Sequence, residues 1–443
     1  MKKDFTLDHA LGDPDEHDDG HGDEPRAPTA PYVIVTPPRS FITNYVIVAG
    51  ERTDAPLEAH ELSAVLVQSA LAGPRVTLPM AYRTRGARLV LWGMNIVDSA
   101  SGRKTTVNEF GCDVLCQVLG DPCMLPWKGS PEAFLQILAT RDGKASVFAR
   151  DEYSGLLASM KRGGYTAGLA QDFIRAYDGR PITMARTKKR NQKGEPIDDS
   201  DRVKDPYLVK ICAATRTSFV SIATIDDVLD GLLSRFVFTS GRADEQPPKR
   251  MTASLERAWD DVVTLARAFR DRAEALTRIE ISDAVLAAHW TLESSYKAAA
   301  QREAHPEAAG PAMQRLAETV LKVSALLAID RGGTEVELDD LTAAAAMGER
   351  WKRTTLAVIA DIGRTLFQSR CDAVLKTILA NPKGISLAKL YRTHRDLDKR
   401  DFVNVLDALV MQRLIHTPPT DRAAGQVGRI PVVYYPGPPG FVG

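Results

Sequence analysis

The sequence predicts an α/β core on a largely parallel sheet, followed by an all-helical region and a small C-terminal module of three helices and a hairpin. Three observations predict it. An apolar run beginning at Leu89 gives way to a small-residue loop and then to a helical pattern from Lys104. A second short run, Ala145 to Arg150, ends on two acids, Asp151 and Glu152. From residue 251 onward, helical periodicity rich in Ala, Leu, Arg and Glu replaces strand-like runs. Strands alternating with helices build a parallel sheet, and helices alone build a bundle.

At 443 residues, 44% hydrophobic and 26% charged, the chain has the composition of a soluble protein with room for several domains. It has no apolar run of the roughly 18 residues that a membrane span needs. Met1 to Ala30 is polar and acidic, with no apolar leader, so the expected location is cytoplasmic. Those 30 residues hold nine acids and three bases, leaving the body at net +6. Such a tail buries too little apolar surface to order itself. His17 and His21 among its aspartates offer a divalent-metal reading beside the plainer one of a solvated tail. Five cysteines, odd in number and unevenly spread, argue against a disulfide framework. Cys112, Cys116 and Cys123 lack a nearby histidine to complete a tetrahedral metal set, so they are expected to be free thiols.

Pro31 to Ala49 reads as two extended pieces, YVIV and NYVIV, about the Pro37-Pro38 turn. Leu62, Val65, Leu66, Ser69 and Ala70 then keep helical spacing. After the run at Leu89 the order is strand, loop, Lys104-Thr105 and helix, which is the skeleton of a phosphate-binding P-loop. The GxxxxGK[ST] spacing puts Asp98 and Arg103 where glycines are usual, and only Gly102 remains in the loop. Val107, Phe110, Val114, Leu115 and Val118 place Lys104, Thr105 and Thr106 at a helix N-terminus. Free N–H groups and the helix dipole favour a phosphate there. Ser101, Gly102, Arg103, Lys104, Thr105 and Thr106 are therefore the expected nucleotide contacts, against the alternative of a plain turn with a solvated lysine.

Asp151 and Glu152, at the tip of the next strand, fit a Walker B pair. Asp151 would join Thr105 in holding Mg2+, and Glu152 would polarise the attacking water. Pro181 to Arg216 reads as a long hairpin, ITMART and YLVKICAATR about a polar loop. That loop carries Lys188, Lys189, Arg190 and Lys193 and suits a phosphodiester backbone, with a solvated tip as the alternative. The second strand ends at Thr215-Arg216, positioned to sense a terminal phosphate. Arg235, before the strand VFT, is the candidate arginine finger for a neighbouring subunit's nucleotide. Arg315, at the start of the helical face Leu316, Val320, Val323, Leu326 and Leu327, is a candidate lid arginine or a solvated one.

In the last 74 residues, helices around Cys371 to Ile378, Ile385 to Tyr391 and Phe402 to Val410 precede two strands, around Leu414 to Thr417 and Ile430 to Tyr435. That pattern predicts a winged helix whose third helix exposes Lys399, Arg400 and Asn404 toward a DNA groove, or else a protein-interaction module.

The pieces FITNYVIVAGERTDAP, DSASGRKTT, VFARDE, FIRAYDG and GLLSRFVF, in that order, resemble the helicase-like family of unknown function found in prophages, plasmids and integrated elements, often beside primase domains. The likeness runs from about Phe41 to Lys249 and more weakly through the helical region, and members of that family are similar in carrying an Arg before the P-loop Lys. It implies a P-loop ATPase core of the AAA+ or RecA kind, similar to superfamily 3 and minichromosome-maintenance helicases, which also often place a winged helix after the lid. The expected organisation is an acidic disordered tail at 1–30, an ATPase domain at 31–250, a helical lid at 251–369 and a winged helix at 370–443. The expected function is an ATP- and Mg2+-dependent DNA helicase or translocase of a mobile element. It would act on single-stranded DNA as a homo-hexamer, with any primase or replication initiator on a separate chain. A loader or switch that does not unwind, and a non-catalytic DNA-binding scaffold, are the alternatives.

Overall fold

The computed structural model describes residues 32–81, 86–97, 103–162, 168–184, 201–241, 250–363, 366–395, 397–417 and 432–437. Contacts divide the chain into a compact unit at Pro31–Gly363 and another that takes in Arg364–Gly443.

The first unit opens with α1 (Phe41–Arg52) and α2 (Leu57–Ala72). A helix at α1 corrects the second of the expected extended pieces, NYVIV. Ser40 caps it, its Oγ accepting from Thr43 N at 3.1 Å. Phe41, Ile42, Tyr45, Val46 and Ala49 are buried at helical spacing, so tertiary packing overrides the β preference of Val and Ile here. In α2 every residue from Ala59 to Ala72 is buried, as expected of a helix enclosed on all sides.

After the short pair β1 (Thr77–Leu78) and β2 (Ala87–Arg88) comes β3 (Trp92–Val97), all six residues buried, and then α3 (Lys104–Leu119), starting at the expected lysine. Next are α4 (Pro131–Thr140), β4 (Ala145–Arg150), α5 (Tyr153–Lys161) and α6 (Leu169–Tyr177). Then follow β5 (Ile182–Met184), β6 (Asp201–Val203), β7 (Tyr207–Thr215), α7 (Arg216–Ile222), α8 (Ile225–Leu229) and β8 (Phe236–Gly241). The main sheet has the order β4-β7-β3-β8 and is parallel throughout. The long hairpin is thereby corrected, because β5 pairs antiparallel with β6, while YLVKICAATR lies at the centre of the parallel sheet. Its residues are buried continuously from Tyr207 to Ala214, the signature of a strand covered on both faces.

Two helical layers provide that cover. On one face, α2 approaches so closely that a Cβ on Gly93 would lie 2.5 Å from a Leu66 methyl, so any larger residue there would have to displace Leu66. On the other, Lys210 is fully buried among Trp92, Phe148, Tyr153, Phe173 and Phe236, its Nζ 3.2 Å from the Phe173 ring centroid. Burial holds its amine well below the usual lysine range.

The unit is completed by α9 (Ala253–Glu274), β9 (Glu280–Ile281), α10 (Asp283–Ala300), α11 (Pro306–Asp330), β10 (Glu335–Val336) and α12 (Leu338–Gly363). These helices share one hydrophobic core with the sheet. Phe41 N donates to Asp330 Oδ2 at 2.8 Å, and Arg350 Nη2 bonds both carboxylate oxygens of buried Glu61, at 2.6 and 2.7 Å, so the last helices are tied to the first.

The second unit contains α13 (Leu366–Leu379), β11 (Ile385–Ser386), α14 (Leu387–Thr393), α15 (Lys399–Met411), β12 (Ile415–His416) and β13 (Val433–Pro436). Its three strands form an antiparallel sheet in the order β11-β13-β12, one strand more than the sequence suggested. Ile385-Ser386 is that extra strand, formed where a helix start was expected. Val374, Ile378, Leu390, Phe402, Val405 and Leu409 form its separate core.

Candidate functional site

Three strand tips converge at the carboxyl edge of the main sheet, where parallel α/β sheets bind ligands. Val97 ends β3 and pairs in register with Thr215, which ends β7, while Arg150 ends β4 against Cys212. Because β7 lies between β3 and β4, the last two are about 10 Å apart at ordinary strand spacing. Lys104, first residue of α3, crosses that gap and pairs its ammonium with the Glu152 carboxylate. Asn108, one helical turn further on and buried, donates from Nδ2 to Asp151 Oδ1 at 2.6 Å. The helix N-terminus and the acid pair, 47 residues apart in sequence, thus face each other.

Arg103 precedes the helix in a left-handed conformation, φ 41°, at a position the P-loop pattern gives to glycine. Its Nε donates to Asp54 Oδ1 at 2.7 Å, and that bond holds the Asp54 carboxyl below the usual range. Thr105 is exposed and Thr106 half-buried, while Ser101 and Gly102 lie outside the described residues. Thr215, at the N-terminus of α7, makes no side-chain cap bond, and Arg216 beside it is paired with Asp361 in the last turn of α12.

Two arginines do not join this group. Arg235 precedes Phe236, which pairs with Trp92 at the opposite end of β3, on the order of 16 Å from the tips. It is 6% exposed, its Nη2 lies 3.0 Å from Asp178 Oδ2, and Nη1 donates to Gly231 O at 2.5 Å. As a finger for a neighbouring subunit this is corrected, because its guanidinium is enclosed and internally satisfied. Arg315 sits beside it, with Nη2 3.7 Å from a Cβ built on Gly231. Burial and the Arg235 charge lower its basicity. It lines a 610 Å³ cleft with Trp290 and His289.

Lys188, Lys189, Arg190 and Lys193 lie outside the described residues, as do His17 and His21. Lys399 and Arg400 are exposed on the first turn of α15. The cysteines are free. Among the described residues, no helix is long and apolar enough to cross a membrane, and no three His, Cys, Asp or Glu side chains form a ready-made metal cluster.

Sequence reasoning missed Asn108, Asp54, Asp178 and Asp361. Asn108 was within reach of it, since position i+4 from Lys104 must share that helix face. The other three are partners brought in by folding. No protein-family model matches the chain, and no curated protein is significantly similar to it in sequence.

Proposed function

We propose that the chain is a P-loop ATPase that acts as a DNA helicase or translocase of a mobile element. The observation that carries this reading is the Lys104 ammonium resting on Glu152 at the mouth of the parallel sheet, with β7 between their strands. A phosphate binder at a helix N-terminus and a carboxylate that can activate water are thereby held within one side chain's reach.

The residues present fit ATP with Mg2+. Asn108 Oδ1 is a buried acceptor without a partner beside Asp151, and Asp151 Oδ2 has none among the described residues. A metal-bound water would satisfy the first and the ion itself the second. Thr105 and Asp151 would hold the ion, and the few protein ligands match a metal that is bound largely through substrate phosphates. When bound, Mg2+ neutralises charge on the transferring phosphoryl group. Lys104 would exchange Glu152 for the phosphates, freeing that carboxylate to take a proton from the attacking water. Thr215 and Arg216, at the tip of β7, would face the terminal phosphate. With Arg235 enclosed, any arginine supplied in trans is a different one.

In this reading the helices after residue 250 serve as the lid and the second unit as a winged helix. The segment with Lys188, Lys189, Arg190 and Lys193, together with Lys399 and Arg400, would contact DNA phosphates, and the working form would be a homo-hexameric ring beside a separate primase or initiator. One observation favours a second reading, an ATP-dependent loader or switch: Glu152 and Arg235 are both held in ion pairs, as suits a chain that holds nucleotide longer than it hydrolyses it. ATP hydrolysis measured with and without single-stranded DNA, beside the assembly mass with ATP bound, tests both. DNA-stimulated turnover in a ring supports the first, tight ATP binding with slow turnover indifferent to DNA supports the second, and no ATP binding at all removes both.

A further inference from the structure

Trp127 is an exposed aromatic on a pinned loop. It is 61% exposed, in the connection between α3 and α4. On one side of it Leu125 N donates to Val147 O at 2.8 Å, and Met124 bridges Val147 in parallel. On the other, Ser130 caps α4, its Oγ accepting from Ala133 N at 3.0 Å. Between those anchors the ring is flanked by two cations, with Lys128 Nζ 4.4 Å and Arg150 Cζ 5.6 Å from its centroid. Lys128 has no carboxylate partner among the described residues. An exposed indole beside cations that have no carboxylate partner among the described residues suits a nucleobase and its phosphate, because every base has a π-face and every nucleotide carries an anion.

We propose that Trp127, Lys128 and Arg150 form a stacking platform for one base of single-stranded DNA, and that Arg150 ties this platform to the acid pair. The inference rests on the DNA-dependent ATPase reading above. Arg150 is the last residue of β4. Its Nη1 donates to Trp127 O and its Nε to Glu152 O at 3.5 Å, while the Glu152 carboxylate holds Lys104. Contacts therefore run without a break from the ring to the phosphate lysine. Arg150 is a positioning residue in this scheme.

The test uses the full chain and fluorescently labelled oligo(dT), with affinity read by anisotropy. Trp127→Ala should lower affinity roughly 10-fold, and Trp127→Phe should restore most of it, since a ring is what stacks. Thermal melts run alongside check that both variants are folded. Equal affinity of Trp127→Ala and wild type overturns the platform and leaves the ATPase reading standing. A wild-type chain that does not bind oligo(dT) overturns the platform together with the DNA part of that reading. Arg150→Lys keeps a cation near the ring but lacks the fork that spans both carbonyls. It should bind the oligonucleotide within a few-fold of wild type and, at oligonucleotide concentrations that saturate both proteins, lose the stimulation of ATP hydrolysis by it. An unchanged ratio of stimulated to basal turnover, or a wild type that DNA does not stimulate, removes the tie.

Discussion

Arg103 Nε donates to Asp54 Oδ1 at 2.7 Å, joining the residue directly before Lys104 to the turn between α1 and α2. That pair gives a large side chain an anchor where the P-loop pattern has glycine. The backbone still has the left-handed conformation, φ 41°, that glycine adopts freely and other residues adopt at a cost of about 1–2 kcal/mol. Arg103→Gly and Arg103→Ala both delete the Asp54 pair, but only alanine keeps the backbone penalty. The glycine variant should be the more stable of the two by about 1 kcal/mol in urea unfolding. Equal midpoints would mean that the conformation is not maintained.

Lys104 and Glu152 neutralise each other across the tip of β7, yet their substitutions should separate. On the proposed function, Lys104→Ala removes the cation that would meet phosphate and should weaken ATP binding roughly 10- to 100-fold, the range for a charge-assisted contact. Glu152→Gln keeps a neutral group of the same shape. It should bind ATP at least as well as wild type while turnover falls roughly 100-fold or more. Equilibrium binding beside steady-state hydrolysis distinguishes them, and a Glu152→Gln enzyme at wild-type speed would remove Glu152 from its role.

How much of this was legible in the sequence follows from the range of the interactions involved. The start of α3 at Lys104 and the strand Ala145–Arg150 could be read directly, because apolar periodicity and the residues at the turns are local. NYVIV misled because four of its five residues favour strands, and the Ser40 cap and a packed helical face decide otherwise. YLVKICAATR was recognised as a strand but not as the central one. Lys210 interrupts its apolar run, and the aromatic rings that accept this lysine come from five other elements. Arg235 looked available because Asp178 stands 57 residues earlier, and no spacing rule connects them.

His60 makes the acid limb of stability testable. It is fully buried against Phe110 and Tyr45, and neither ring nitrogen has a hydrogen-bond partner among the described residues. Burial pushes its imidazole down from the ordinary 6.5 to about 4. Above about pH 6.5 it is neutral in both states and contributes nothing. As pH falls toward about 4 the unfolded chain takes up the proton first, so stability drops, by up to about 3 kcal/mol. Asp330, pushed up by burial to about 6, has the opposite sign over much of the same window. Only a difference isolates His60. The stability of His60→Leu minus that of wild type should therefore grow as pH is lowered from about 7 to about 4, read by urea unfolding at each pH. A constant difference would show that the ring is not held neutral.

Arg216 and Asp361 join the tip of β7 to the last turn of α12, two residues before the first unit ends at Gly363. Both side chains are about three-quarters covered, at 28% and 25% exposure, so breaking the pair from either side should destabilise by about 1 kcal/mol. Stability alone cannot separate a structural brace from a nucleotide sensor, but affinity can. If Arg216 leaves Asp361 to meet a terminal phosphate, wild type must break the pair on binding. Asp361→Ala removes that competitor and should tighten ATP binding, whereas Arg216→Ala removes the ligand contact and should weaken it. Two substitutions that lower stability alike would then move affinity in opposite directions, which isothermal titration of each variant with ATP can read. Equal affinities in both variants and wild type would make the pair a brace between sheet and helix and nothing more.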